Sequence, residues 1–360
     1  MAGGFFVWTA SASLALILPL AAAIITAQIA GQMLPRYAVM YESIRSGVHR
    51  LYLYDLTRSL EQPLDFVQAR GAAIAPDGHT LAFMTVDDRT LQIGLFIGDL
   101  YAGEARQVHA GSDFLTQLTW SPDGTAVAYL SALNLYRDLA IYDMTAGQVI
   151  PFTRSDRCDS LAWSPDGAQI AVICLSAAGF PPEMQIRIYD RAAPEGYTVI
   201  PALDIYATAS LAWSPDGEHL MIVAEARGFS PHLTLISLAD HSVRHVAPTG
   251  MGISPAFDHR GSAIAHHAPQ TGSSLYALYV ADASASGDPD SLTSGRSLGV
   301  DAVNIPTFTP AWSPDDAYIA FSGYEDGARF TVTTLIADAR SGGVRWRLPD
   351  PFPFNVSWLP

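Results

Sequence analysis

The run Trp120-Ser121-Pro122-Asp123-Gly124 returns as Trp163-Ser164-Pro165-Asp166-Gly167 and again as Trp213-Ser214-Pro215-Asp216-Gly217. Weaker copies stand at Ile74-Ala75-Pro76-Asp77-Gly78, Phe257-Asp258-His259-Arg260-Gly261 and Trp312-Ser313-Pro314-Asp315-Asp316. Their third positions are spaced by 43 to 55 residues. A repeat of that period is one supersecondary unit that buries its apolar face only by stacking on its neighbours.

The residues of the motif explain its work. Proline presets φ for a turn, aspartate favours the turn, and glycine takes the left-handed conformation that closes a hairpin. We read Asp77, Gly78, Asp123, Gly124, Asp166, Gly167, Asp216, Gly217 and Asp315 as structural turn residues, and Asp316, which replaces the usual glycine, as a local irregularity. An apolar β-run follows each turn, as in Val127-Ala128-Tyr129 and Ile170-Ala171-Val172. A second run then ends in a turn residue: Asp55, Asp99, Asp143, Asp190, Ser237, Asp282 and Asp338. The strands lie too close together for crossover helices, so the class is all-β and antiparallel. Seven end marks against six turns place an incomplete unit at Tyr37–Val67, lacking its first strand. Phe354 to Pro360 reads as that strand. The expectation is a seven-bladed β-propeller of four-stranded antiparallel blades, closed by the C-terminal strand, with six blades as the alternative.

These copies, each followed by an apolar strand and an Ile-Tyr-Asp type strand, resemble the TolB-like family of propeller repeats, relatives of WD repeats. The resemblance covers residues 37 to 360 and implies a non-enzymatic scaffold, often outside the cytoplasm. The family's namesake has six blades and a separate α/β domain, for which this chain has no room.

Composition adds the membrane. No Asp, Glu, Lys or Arg occurs before Arg36, and Phe5 to Gly31 is apolar or small, enough to cross a bilayer as a helix. We read residues 1–35 as a transmembrane helix or signal anchor contacting the membrane through residues 5–31, and residues 36–360 as the propeller. A cleaved signal peptide is the rival, although the basic start of one is missing. The chain has no lysine and a net charge of −15, which disfavours nucleic acid. Arg36, Arg45 and Arg50 follow the apolar segment and favour a cytoplasmic propeller by the positive-inside rule. The family resemblance favours the extracytoplasmic side, which is our expectation for this single-pass protein.

Catalytic chemistry is hard to find. Gly250-Met251-Gly252-Ile253-Ser254 misplaces the serine of a nucleophile elbow. His266 and His267 are adjacent in a strand and point to opposite faces, so they do not share a metal. No metal and no cofactor are expected. Cys158 and Cys174 flank the Pro165-Asp166-Gly167 turn; with Ser164 opposite Ala168 they would face one another, within adjustable reach of a disulfide. Two buried thiols are the alternative.

With the anchor leading directly into a strand, the face of the S-P-D-G turns should lie toward the bilayer. The opposite face carries the longer loops, among them Ser131–Arg137 and Tyr324–Arg329. Tyr136, Arg137, Arg157, Phe180, Phe229 and Tyr324 are the candidate partner contacts there. The expected function is a membrane-anchored interaction module that binds a protein or cell-envelope component. The alternatives are a funnel-site hydrolase or lyase acting on glycans or peptides, and a structural subunit of a membrane complex.

Overall fold

The computed structural model describes residues 37–86, 93–111, 114–133, 136–153, 157–175, 184–200, 208–224, 231–249, 254–270, 276–285, 295–302, 309–325, 328–350 and 353–360. No helix among them is long and apolar enough to cross a membrane; the anchor expected over residues 5–31 lies outside the described residues.

Every regular element among the described residues is a β-strand, and the strands form antiparallel groups of four. Three sheets have four strands and two have eight. Each eight-stranded sheet is two such groups joined by one residue pair, Arg137 with Arg157 or Ala302 with Gly323. The four-strand unit is seen in Phe114–Trp120, Ala126–Leu133, Tyr136–Asp143 and Gln148–Pro151, paired in chain order.

The S-P-D-G turn is closed by its own side chains. Ser121 Oγ donates to Asp123 Oδ1 and accepts from Ala126 N, while Thr125 N donates to the same carboxylate. Gly124, at φ 69°, donates its N–H back to Ser121 O. Burial alone would raise the Asp123 pKa; hydrogen bonds from Ser121 and Thr125, with Arg191 nearby, outweigh it and hold it at about 2. Asp55, Asp99, Asp143, Asp190, Ser237, Asp282 and Asp338 each end a strand. Asp143 Oδ1 accepts from Thr145 and Ala146, and Met144 N donates to Thr125 O. The last bond sets the third-to-fourth turn beside the S-P-D-G turn, on one face.

Neighbouring units are keyed together by the same motif. A Cβ on Gly124 would sit 3.7 Å from Pro76 Cδ, one on Gly167 3.5 Å from Pro122, and one on Gly261 3.2 Å from Pro215. Three motif indoles donate to the preceding unit, Trp120 to Ala73 O, Trp163 to Thr119 O and Trp312 to Ala256 O, whereas Trp213 donates to Gly217 O of its own turn. The cycle closes through the chain's end. Strand Phe354–Trp358 pairs antiparallel with Ala38–Arg45, Trp358 donates to Ala311 O, and Pro360 packs on Gly78. The apolar cores fill the gaps between units, as where Leu95 and Ile97 meet Trp120 and Tyr129, or Tyr54 and Trp358 meet Ile336. Sheets covered on both faces explain the nearly unbroken apolar second strands.

The hairpin of the cysteines differs from the expected register. Trp163 opposes Ile170 and Ser164 N donates to Gln169 O, so Ser164 faces Gln169 and not Ala168. The turn is one residue longer, because Ser164 Oγ accepts from Gln169 N to close it. A bulge at Asp159 then restores the offset; Cys158 opposes Cys174, and the two form a disulfide. The loops Ser131–Arg137 and Tyr324–Arg329 also need correction. Strand continues through Leu133 and resumes at Tyr136, with those two paired, and it runs through Tyr324 to Glu325 and resumes at Ala328.

Candidate functional site

Apart from the single Arg137–Arg157 pair, the first strand of each unit has no neighbour on its inner side among the described residues. The residue three positions before the Trp, Phe or Ile that opens each motif copy is Gly71, Gln117, Ser160, Ser210, Ser254, Thr309 or Asn355. All of them line two adjoining cavities, of about 470 and 660 Å3, that share Gln117, Leu118, Ser254 and Thr309. The first strands therefore surround a common channel. Gly71, Gln117 and Asn355 have positive φ, at 58°, 53° and 43°, and sit where their strands bulge. Such bulges re-aim side chains, here along the channel wall.

Several of these side chains also tie the units together. Gln117 Nε2 donates to Asp159 O at 2.8 Å, and its Oε1 accepts from Leu161 N. Ser160 Oγ accepts from Leu211 N. Asn355 Nδ2 donates to Glu42 Oε1, which also accepts from Ala72 N at 2.9 Å. Burial pushes the Glu42 carboxyl above its usual range, against the pull of the bonds from Asn355, Ala72 and Gly71. Glu42 is a buried carboxyl behind the channel wall that sequence reading missed. For the channel wall a positional signal was available: the third residue before the Trp, Phe or Ile that opens each motif copy is small or polar and uncharged.

At the opposite end of the second strands a polar cluster locks the closing seam. Arg45 donates through Nε to Asp350 and through both terminal nitrogens to Glu61, and its guanidinium lies 3.9 Å from the Tyr52 ring centroid. Tyr41 donates to Glu61 and Ser43 to Asp350. Arg45 holds the Glu61 carboxyl below its usual range, and burial, then Glu61, pushes the Tyr41 hydroxyl up.

The candidate partner contacts are scattered. Arg157 is exposed and stands across the strand pair from Arg137, whose guanidinium is ion-paired with Asp159. Tyr136 begins a strand opposite Leu133, and Tyr324 lies opposite Val332. Phe180 and Phe229 lie outside the described residues. His266 and His267 are both buried, stacked on Tyr279 and edge-on to Phe321 respectively. On the turn face, Asp216, Glu218 and His219 bring possible ligand atoms within 4.8 Å of one another, but Asp216 is already engaged by Ser214 and Glu218 N.

No family model and no curated protein matches the sequence. Solved structures do. TolB from Acinetobacter baumannii is 18% identical at a TM-score of 0.55, covering 92% of this chain and 84% of its own. The β-propeller domain of the Trilobed protease from Pyrococcus furiosus, described as having an open velcro topology, is 13% identical at 0.59, over 88% and 93%. An oligogalacturonate lyase in complex with manganese is 16% identical at 0.58, over 85% and 82%. At such identities the likeness establishes the fold alone: a β-propeller.

Proposed function

We propose that the units form one seven-bladed ring and that this ring is a binding module, tethered to a membrane by residues 1–35 and lying outside the cytoplasm. It holds a protein or cell-envelope component on the face away from the S-P-D-G turns. The carrying observation is the position of Tyr37. Its hydroxyl donates to Asp315 Oδ2 at 2.6 Å, and its ring lies 5.2 Å from Tyr318. The chain therefore enters on the S-P-D-G face, which supports a tether on that side and an open surface on the other. The disulfide supports an oxidising compartment.

The test replaces Arg157 or Glu218 by a photoreactive amino acid in the full chain and irradiates native membranes. Adducts from position 157 and none from 218 are expected, together with loss of membrane association when residues 1–35 are deleted. Adducts from 218 alone would turn the assignment upside down. A second reading, a channel-site enzyme, is favoured by one observation: Glu42, a carboxyl held above its usual range beside the channel. Its two acceptor bonds to Asn355 and Ala72 favour a structural role instead.

A further inference from the structure

The outer strand of a unit leaves an edge unpaired, and such edges invite another strand unless charge, proline or shortness guards them. Leu60–Val67 carries Glu61, Pro63 and Asp65. Ala105–Gly111, Val243–Pro248, Arg296–Ala302 and Val344–Arg347 carry arginine, and Gln148–Pro151 is four residues long and ends in proline. Ala193–Ile200 is different. It has eight residues and, after Pro194 and Glu195, runs Gly196-Tyr197-Thr198-Val199-Ile200 with no charge. It stands at the end of its sheet, and its outer edge pairs with none of the described strands.

Two large apolar side chains lie beside this edge: Tyr197 is 49% exposed and Val199 38%. They oppose Tyr189 and Arg187, so all four share one face of the sheet. The Tyr197 ring is held from below, its centroid 5.2 Å from that of Tyr189 and 4.8 Å from the Arg187 guanidinium. Tyr189 is fixed in turn by Phe152 of the preceding unit, edge-on at 5.9 Å. Four of the five residues from Gly196 to Ile200 are strand formers, so the edge is a ready template.

The chemistry of the edge selects a second copy. With a net charge of −15 and no lysine, copies repel wherever their carboxylates meet, and this stretch has none. Antiparallel pairing about a two-fold at Thr198 sets that residue opposite its own image and Tyr197 opposite Val199. Threonine pairs, and pairs of an aromatic with a β-branched residue, are favourable across strands. Glu195 then meets position 201 of the other copy and not another Glu195. We infer that two copies of the chain join through this edge, in a sheet continuous across the two-fold. The axis suits a tethered protein. Three strand-to-strand rotations of about 20–25° turn the outer strand roughly 60–75° from the channel strand. With the ring and tether proposed above, a two-fold perpendicular to the sheet at this edge leans toward the ring axis, and both copies keep one face to the membrane. The pairing itself needs neither that tether nor the partner proposed above.

Full-length protein in a nonionic detergent is followed by sedimentation velocity, with Thr198→Lys, Thr198→Glu and their equimolar mixture beside the wild type. The wild type and the mixture are expected to sediment as dimers. Either variant alone sets like charges face to face, which should weaken association about a hundredfold or more and leave monomers. Thr198 is exposed, so both should fold as the wild type does, which circular dichroism checks. In native membranes, Thr198→Cys should form a disulfide between copies on mild oxidation, because facing residues have Cβ atoms about 4.5–5.5 Å apart. Val243→Cys, on the exposed outer strand of the next unit, should not. A monomeric wild type, dimers in both charged variants, a mixture that stays monomeric, or equal crosslinking from position 243 would each overturn the inference. So would adducts of position 198 with a different protein, which would give the edge to another chain.

Discussion

Asp316 Oδ1 lies 2.7 Å from His259 Nδ1 and 3.0 Å from His259 N, at a joint between units that has neither proline nor glycine. Elsewhere the motif glycine of one unit packs on the motif proline of the unit before it, as Gly124 does on Pro76. Here histidine stands at the proline position and aspartate, at φ 57°, at the glycine position. Aspartate is among the few residues that tolerate this conformation, and its carboxylate caps the turn across the joint. What reads as an irregularity in the sequence is a paired exchange. Asp316→Ala should lose both the cap and the tolerance, lowering stability by about 1–2 kcal/mol. Combining His259→Pro with Asp316→Gly restores the usual joint and should recover most of that loss in urea unfolding. A double variant less stable than Asp316→Ala would show that the pair is not an equivalent joint.

The proposed closure of the ring rests on Trp358 and Pro360. Deleting residues 354–360 removes the strand paired with Ala38–Arg45 and exposes two sheet edges. Aggregation or a collapse of the melting temperature is expected. Trp358→Ala alone should cost about 3–5 kcal/mol, since the side chain is buried and donates to Ala311 O at 2.9 Å. A truncated chain that melts like the full one would place the ring closure elsewhere.

Cys158 and Cys174 close a loop with a sequence separation of 16. Replacing both by alanine should lower stability by about 2–4 kcal/mol. Protein taken from membranes with its thiols blocked beforehand should yield the linked peptides on non-reducing mass spectrometry. Two alkylated cysteines would remove this support for an oxidising compartment.

Burial, reinforced by the neighbouring His266, lowers the His267 pKa to about 3. The unfolded chain titrates there near 6.5, so between those values it binds the extra proton and the folded protein does not. The stabilising effect of the neutral ring is complete above pH 6.5 and is lost as pH falls toward 3, at up to about 1.4 kcal/mol per pH unit. Glu42, with its raised pKa, works in the opposite direction on acidification. The informative quantity is thus the difference between wild type and His267→Leu. Urea midpoints at pH 7.5, 6 and 4.5 should fall less steeply with acid in the variant. Parallel curves would show that His267 does not set the slope.

The repeat period, the turn chemistry and the strands ending at Asp143, Asp190 or Asp338 were legible in the sequence, because each is settled by residues a few positions apart. Ser121, Asp123 and Gly124 close their turn from within it. The pairing of Phe354–Trp358 with Ala38–Arg45 could be read as well, because one unit lacked a strand and the chain's end supplied it. The facing of Cys158 and Cys174 was legible only by a register that the hairpin does not use; a bulge at Asp159 decided it. The channel was not legible. Its wall draws residues from every unit, and bonds such as Trp120 to Ala73, 47 positions apart, exist only after the units stack. The same holds for Asp316 with His259. Local propensity fixes a turn or a strand, but which side chains meet across a gap is set by how neighbouring sheets are stacked, and only the tertiary structure determines that.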